Sequence, residues 1–376
     1  CVVVSDSFKG SLSSVEIGEI AKEVIPAVFP GCEVAALPVA DGGEGTVECF
    51  IRTAGFQPVA VRVSGPFGEM VDAVYARRGE TAVLEMAAAA GLPLVKGQPD
   101  PSRATSFGVG QMLRHAVENG SRRIIMGLGG SATNDGGCGC AAALGAVFRR
   151  SDGQEFCPVG ASLSEIESID FMPVKTLLSG VDISVMCDVT NPLYGPEGAA
   201  YVFAPQKGAD AATTAMLDKQ LRAFGSTLLR ETGVDAAQIS GAGAAGGMGA
   251  GCAALLGAAL KPGIEAILDA VDLDGQLEGA DLVITGEGRL DSQSLRGKVL
   301  SGVTRRAALR GIPVVAIVGG VDDSAYAAYE LGVGAIFSIN RLAVPFREAA
   351  PRSAENYRRT LEDVIRVIRL FTLERR

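Results

Sequence analysis

Of 376 residues only one is histidine, His115, and it falls in a stretch with helical spacing, away from any glycine-rich loop. That scarcity excludes a His-dependent triad and a His-rich metal site, and leaves His115 a structural role. Basic residues are also in deficit: 34 Lys and Arg face 43 Asp and Glu, for a formal charge of −9. A surface of that sign repels a phosphate backbone unless a basic patch offsets it, and no such patch interleaved with aromatics is present. The arginines of 358–376 are interspersed with Glu362, Asp363 and Glu374, as on the solvated face of a last helix. No nucleic-acid partner is expected.

The eight cysteines lack zinc spacing: Cys138 and Cys140 are close, but one glycine separates them and no histidine is near. They read as small buried residues in a reducing cytoplasm, the expected location. No secretory leader is in view; the chain begins in an apolar run at Cys1, so native residues are expected to precede it. A long uncharged run, Ile239–Leu260, is mostly Gly and Ala, too poor in large apolar side chains to favour hydrocarbon, so no membrane span is expected. GxxxxGK[ST] is absent, which excludes the standard P-loop.

What remains is a globular composition, 48% hydrophobic and 20% charged, long enough for two domains. Cys1–Ser5 reads as a strand, Ser11–Phe29 as a helix, Glu33–Val39 as a strand, and Val47–Gly55 as a helix after a glycine-rich loop. Three runs, 59–63, 71–76 and 82–86, are separated by glycine turns and read as antiparallel strands. The β-loop-α rhythm then returns: helix 108–119, strand 123–128, loop 129–137, helix 138–148, and strands at 183–187, 281–285, 313–318 and 335–338. The expected fold is α/β: a Rossmann-like doubly wound parallel-sheet domain (1–57, 105–191 and 279–376) interrupted by a smaller inserted α+β domain (58–104 and 192–278). The active site is expected in the interdomain cleft.

Four polar or glycine-rich segments follow strands, where ligands collect in an open parallel sheet: 5–9, 41–46, 129–137 and 188–191. The loop Gly129–Gly137, with Ser131, Thr133 and Asn134 ahead of a helix, offers N–H groups to an anion, or is a cap and tight turn. Gly241, Gly243 and Gly246 satisfy a G-x-G-x-x-G count, but Ala236–Ser240 is a poor strand. A nicotinamide site, a nucleotide-phosphate or hinge loop, and close packing all stay open there. Asp6, Asp41, Asp135 and Asp188, with Glu44 and Asp291, are placed to hold magnesium or accept a proton. Lys9, Arg289 and Lys298 are the candidate cation clamps.

In this order the segments DSFKGSLSS, PVADGGEGT, SGPFGE, EMAAAAGL, GLGGSATNDGG, CDVTNPLYGPEGAAYVFAPQKGA, GAGAAGGMGAG and ITGEGRLDSQSLRGK span residues 6–298. They resemble the bacterial glycerate kinase family of glyoxylate, glucarate and galactarate degradation. The resemblance implies transfer of the ATP γ-phosphate to D-glycerate with Mg2+, with 2-phosphoglycerate favoured over 3-phosphoglycerate, in a monomer or homodimer. Gly10 stands where relatives often have Glu, beside a retained Lys9.

The roles expected on that basis are as follows. Asp188 orients or deprotonates the attacking hydroxyl, while Lys9 and Arg289 neutralise the carboxylate or the transferring phosphoryl group. Asp41 and Glu44 hold Mg2+. Ser7, Asp41, Ser131, Thr133, Asn134, Asp135 and Asn191 line the substrate site, and Gly129, Gly130, Gly243, Gly246, Gly247 and Glu287 the nucleotide and its phosphates.

Overall fold

The computed structural model describes every residue of the 376 except 9–10, 40–45, 54, 292–293, 295–297, 343 and 374–376. In chain order its strands begin with β1 Val2–Ser5, β2 Ala35–Ala36, β3 Gln57–Ser64, β4 Met70–Arg78, β5 Thr81–Glu85 and β6 Arg123–Gly127. Next come β7 Val147–Arg149, β8 Glu155–Phe156, β9 Ser168–Asp170, β10 Asp182–Met186 and β11 Ala259–Lys261. The last are β12 Val283–Gly286, β13 Arg289–Leu290, β14 Val314–Val318, β15 Gly320–Val321 and β16 Val333–Ser338. The chain divides into two units, Cys1–Asp41 with Arg52–Ala54 and Ile267–Arg376, and Gly42–Ile51 with Gly55–Ala266.

The first unit carries a five-stranded sheet in the order β16-β14-β12-β1-β2, parallel throughout. Its inner strands are mostly apolar because helices cover both faces, and β1 and β12 are buried at every position, Ser5 and Thr285 included. Helix Ser14–Val28 starts at a capping box, in which Ser13 accepts from the Glu16 N–H and Glu16 accepts from the Ser13 N–H. The Ser13 hydroxyl, donating to the Glu16 carboxyl at 2.7 Å, and the Ser13 N–H together hold that carboxyl below its ordinary range. The apolar stripe Ile17, Ile20 and Val24 forms one core with Tyr357, Leu361 and Val364 of helix Ser353–Leu373. By strand number within this unit the order reverses between β1 and β12, which is where an open α/β sheet binds its ligand.

The second unit carries a six-stranded sheet, β11-β10-β6-β5-β4-β3. The first four of these are mutually parallel, and β5, β4 and β3 form an antiparallel meander. The meander matches the expectation for 59–86, but the partition does not. Segment 105–191, expected with the chain termini, lies in this unit, because β6 pairs with β5 and with β10. The inserted unit is therefore the longer of the two. A helix expected over 138–148 stops at Ala143; Gly145 at φ +110° turns the chain into β7.

Gly110 shows how closely the second unit packs. Helix Phe107–Glu118 meets helix Cys138–Ala143 there, and a Cβ on Gly110 would lie 2.2 Å from the Cys140 carbonyl oxygen. Alanine would gain roughly 1 kcal/mol of helix propensity. Overpacking against backbone costs about 1–3 kcal/mol and more when nothing can yield, so the clash wins. Gly110→Ala should lower stability by about 2 kcal/mol in urea unfolding. A midpoint at or above the wild-type value would contradict the close approach.

Candidate active site

Each unit has a cavity at the carboxyl edge of its parallel strands. In the first, Asp6 and Ser7 follow β1, Glu287 follows β12, Gly319 follows β14 and Asn340 lies just beyond β16, around a cavity of 580 Å³. It sits at the point where the strand order reverses. Arg289, Asp291 and Lys298 complete its charged lining. Glu287 is buried, and its Oε1 has no hydrogen-bond partner. Burial pushes its carboxyl up to about 7, against the Ser294 hydrogen bond and the Lys298 charge, which pull it down. Arg289 is exposed, and its Nη2 lies 3.2 Å from Asp322 Oδ2. Backbone N–H of Ser7 donates to Asp6 Oδ1 at 2.7 Å.

In the second unit Gly129, Gly130 and Ser131 follow β6, and Cys187 and Asp188 follow β10, lining a cavity of 410 Å³. Asp188 is exposed, and its Oδ1 accepts from the Gly263 N–H at 2.8 Å. Lys207 also lines the cavity, buried, and its Nζ donates to Ser131 Oγ at 2.8 Å and the Thr133 carbonyl at 2.7 Å. Burial brings its ammonium down to about 7, partly offset by the charge of Asp135. Asp135 itself is wholly buried and takes four donors: Ser106 N–H (2.7 Å), Ser106 Oγ–H (2.8 Å), Gly137 N–H (3.1 Å) and Gly139 N–H (3.3 Å). Burial raises its carboxyl, the donors lower it, and burial has the larger effect.

The sequence profile of the glycerate kinase family matches residues 1–369. A glycerate kinase of Bacillus subtilis (strain 168) is 42% identical over 372 residues, 98% of this chain and 97% of the relative. The chain belongs to the glycerate kinase family. A glycerate 2-kinase of Escherichia coli (strain K12) is 41% identical over 90% of each chain. A crystal structure from Salmonella typhimurium LT2, of a protein assigned to glycerate kinase 2, superposes with a TM-score of 0.86 at 41% identity, covering 99% of this chain and 98% of the other. Membership makes this an ATP-dependent phosphotransferase with an alcohol acceptor, and ATP is its co-substrate.

The kinase-family fold sorts the residues expected at the site. Ser7, Glu287 and Arg289 line the first unit's cavity; Asp188, Gly129, Gly130 and Ser131 line the second's. Lys9, Asp41 and Glu44 lie outside the described residues. Thr133, Asn134 and Asp135 are fully buried behind the second cavity's lining. Thr133 Oγ1 and both amide atoms of Asn134 have no partner there, while Asp135 bonds the chain around it. Asn191 turns its Nδ2 to the Glu197 carbonyl at 2.8 Å.

Gly243, Gly246 and Gly247 have a packing reason that needs no nucleotide. A Cβ on Gly243 would lie 2.2 Å from the Pro192 carbonyl oxygen, and one on Gly246 would lie 2.2 Å from that of Thr133. One on Gly247 would lie 2.9 Å from Leu221. The G-x-G-x-x-G count also lacks its strand, since a 3₁₀ turn, Ala236–Gln238, precedes it. Ala245, which does line the cavity, sits at φ +53°, a left-handed conformation that costs a non-glycine residue about 1 kcal/mol or more. His115 is structural as expected, with Nδ1 3.1 Å from Tyr75 Oη. Sequence reasoning missed Lys207, which lies within the family block APQKGA but reads as a surface lysine beside Gln206.

The acidic lining was tested for a magnesium site. Among the described residues no three acidic, His or Cys side chains are grouped closely enough to hold a metal by themselves. Mg2+ keeps waters and substrate phosphates as ligands, so one or two carboxylates suffice. Glu287 fits that demand, with an unpartnered buried oxygen in the same cavity as Asp6 and Asp291.

Glu287 also sets a pH dependence. Between its ordinary 4.5 and about 7, the folded protein holds a proton there that the unfolded chain has released. Its contribution to stability is present below the unfolded value and is lost as pH rises through about 7. Glu287→Gln should therefore gain on wild type between pH 5 and pH 8, by on the order of 2 kcal/mol in thermal unfolding. A pH-independent difference would place the carboxyl at its ordinary value.

Proposed function

We propose that the chain transfers the γ-phosphate of ATP to D-glycerate, giving ADP and 2-phosphoglycerate in preference to 3-phosphoglycerate, with Mg2+. The observation that carries this reading is similarity along almost the whole chain to proteins named glycerate kinase, one of them a glycerate 2-kinase. No helix among the described residues is long and apolar enough to cross a membrane, which fits the expected cytoplasmic setting.

The larger cavity, at the first unit's switch point, takes the nucleotide. Arg289 and Lys298 offset triphosphate charge and Ser7 adds a hydroxyl donor, while Lys9, as the family resemblance implies, neutralises the carboxylate or the transferring phosphoryl group. Glu287 with Asp6 and Asp291, and Asp41 with Glu44 as expected from the family resemblance, would hold Mg2+. When bound, the ion neutralises phosphate charge as it builds up during transfer.

The second unit's cavity takes the three-carbon acid. Asp188, steadied by the Gly263 N–H, orients the attacking hydroxyl and accepts its proton. The backbone at Gly129 and Gly130 and the Ser131 hydroxyl offer hydrogen-bond donors to the acid and to the phosphoryl group it receives. Thr133, Asn134 and Asp135 support that wall from behind, and Asn191 shapes the loop after β10.

Asp188→Asn keeps the Gly263 bond, because an amide oxygen still accepts, but removes the proton acceptor. ADP release with D-glycerate, ATP and Mg2+ should fall at least about a hundredfold while the melting temperature stays near wild type. Phosphorus NMR of the wild-type product distinguishes the 2- from the 3-phosphate. Near-normal turnover of the variant would remove Asp188 from the proton-accepting role.

A further inference from the structure

Lys207 is only 2% exposed, and both polar groups its ammonium touches, Ser131 Oγ and the Thr133 carbonyl, are uncharged. Among the described residues no carboxylate lies within ion-pair distance of its Nζ. An ammonium has three N–H donors, so one is left over. Burying a cation beside neutral dipoles alone returns less than its hydration cost, and buried charges are ordinarily paired. The nearby charge, Asp135, is already engaged by its four donors. The side chain is also held in place. It ends a 3₁₀ turn, Pro205–Lys207, closed by Gly208 at φ +95°, where a Cβ would lie 2.3 Å from the Pro99 carbonyl oxygen.

A buried, positioned cation whose nearby counter-charge, Asp135, lies beyond ion-pair distance, and which lines a ligand-sized cavity, is suited to an anionic ligand. The rest of the lining narrows the choice. Leu92, Leu128 and Phe203 supply apolar walls suited to a short carbon chain, and Asp188 adds a negative charge to the same cavity that disfavours a polyphosphate. We propose that Lys207 binds the carboxylate of the acceptor acid, with Ser131 and the Thr133 carbonyl holding its ammonium in place. This rests on the reading that the second unit's cavity takes the acid. It makes Lys207 the residue that separates a hydroxy acid from a neutral polyol of the same size.

The proton balance gives the proposal a signature. Lys207 in the free protein is brought down to about 7 by burial, and a bound carboxylate stabilises its charged form and pulls it back up. Above pH 7 the acid therefore binds with uptake of a proton, and its KM rises by about tenfold per pH unit. The titratable groups facing this site are Asp135 behind the β6 loop, and Asp188 and Cys187 on the β10 loop. Cys187 is pushed up by burial and stays neutral through this window, leaving Lys207 to set the slope.

The test begins with wild-type ADP release on D-glycerate, because its absence would remove the functional reading itself. Given turnover, KM for D-glycerate and for ATP is measured from pH 6 to pH 9 in wild type, Lys207→Met and Lys207→Arg. Lys207→Met should raise KM for D-glycerate about a hundredfold, leave KM for ATP unchanged and lose the pH slope. Lys207→Arg should recover part of the affinity without the slope, since its charge does not titrate in this range. Glycerol, lacking the carboxylate, should be phosphorylated no worse by Lys207→Met than by wild type. A D-glycerate KM within threefold of wild type, or a change confined to the ATP KM, overturns the proposal. Should the variants fail to fold, calorimetry of D-glycerate binding to wild type at pH 8 in two buffers decides: uptake of most of a proton supports it, and none overturns it.

Discussion

The second unit's cavity depends on one buried carboxylate. Asp135 gathers donors from Ser106, Gly137 and Gly139, and Ser106 Oγ in turn accepts from the Cys140 N–H at 2.9 Å. These bonds tie the beginning of helix Phe107–Glu118 to the beginning of helix Cys138–Ala143 and fix the loop after β6 between them. That loop supplies Gly129, Gly130 and Ser131 to the cavity, and the Thr133 carbonyl to Lys207. A charge this deep is tolerable only because donors surround it, and removal of any one leaves the others aimed at a poorly compensated group. Close backbone packing reinforces the arrangement, with Gly246 against Thr133 and Gly251 against the Gly136 carbonyl.

The first unit reaches a ligand site by topology instead. Parallel strands of one sheet end on one edge, and the reversal between β1 and β12 opens a crevice between loops that leave in opposite directions. Asp6 and Ser7 arrive from one side of the reversal and Glu287 from the other. The apolar β1 and β12 fix these loops from below, so the polar groups at their ends are positioned by strand register: Val2 opposite Val283, Ser5 opposite Gly286.

Local pattern made much of this legible. The β-branched run at β1, the helical spacing of the first helix and the meander at 57–85 follow from periodicity and turn chemistry within a few residues. Of the four loops expected after strands, three bring Ser7, Ser131 and Asp188 to cavities, and Glu287 and Arg289 arrive from the family block ending at Lys298. Strand partnership was not legible: β6 resembles β12 in composition, and only non-local pairing assigns it to the other sheet. Gly243, Gly246 and Gly247 look the same in sequence whether a phosphate or a neighbouring carbonyl crowds them. Asp135 read as a ligand group because nothing local announces the four donors that enclose it. Lys207 escaped for the converse reason, since a lysine in a short polar turn gives no sign of burial.

The central claim is that the two strand-edge cavities divide the work, nucleotide in the first unit and acid in the second. Hydrogen exchange of the wild-type protein with each ligand alone tests it most directly. D-glycerate should slow exchange at residues 129–133 and 187–189, and Mg-ATP at 5–8 and 286–291. Protection of 5–8 and 286–291 by D-glycerate, with 129–133 and 187–189 unchanged, would contradict the account.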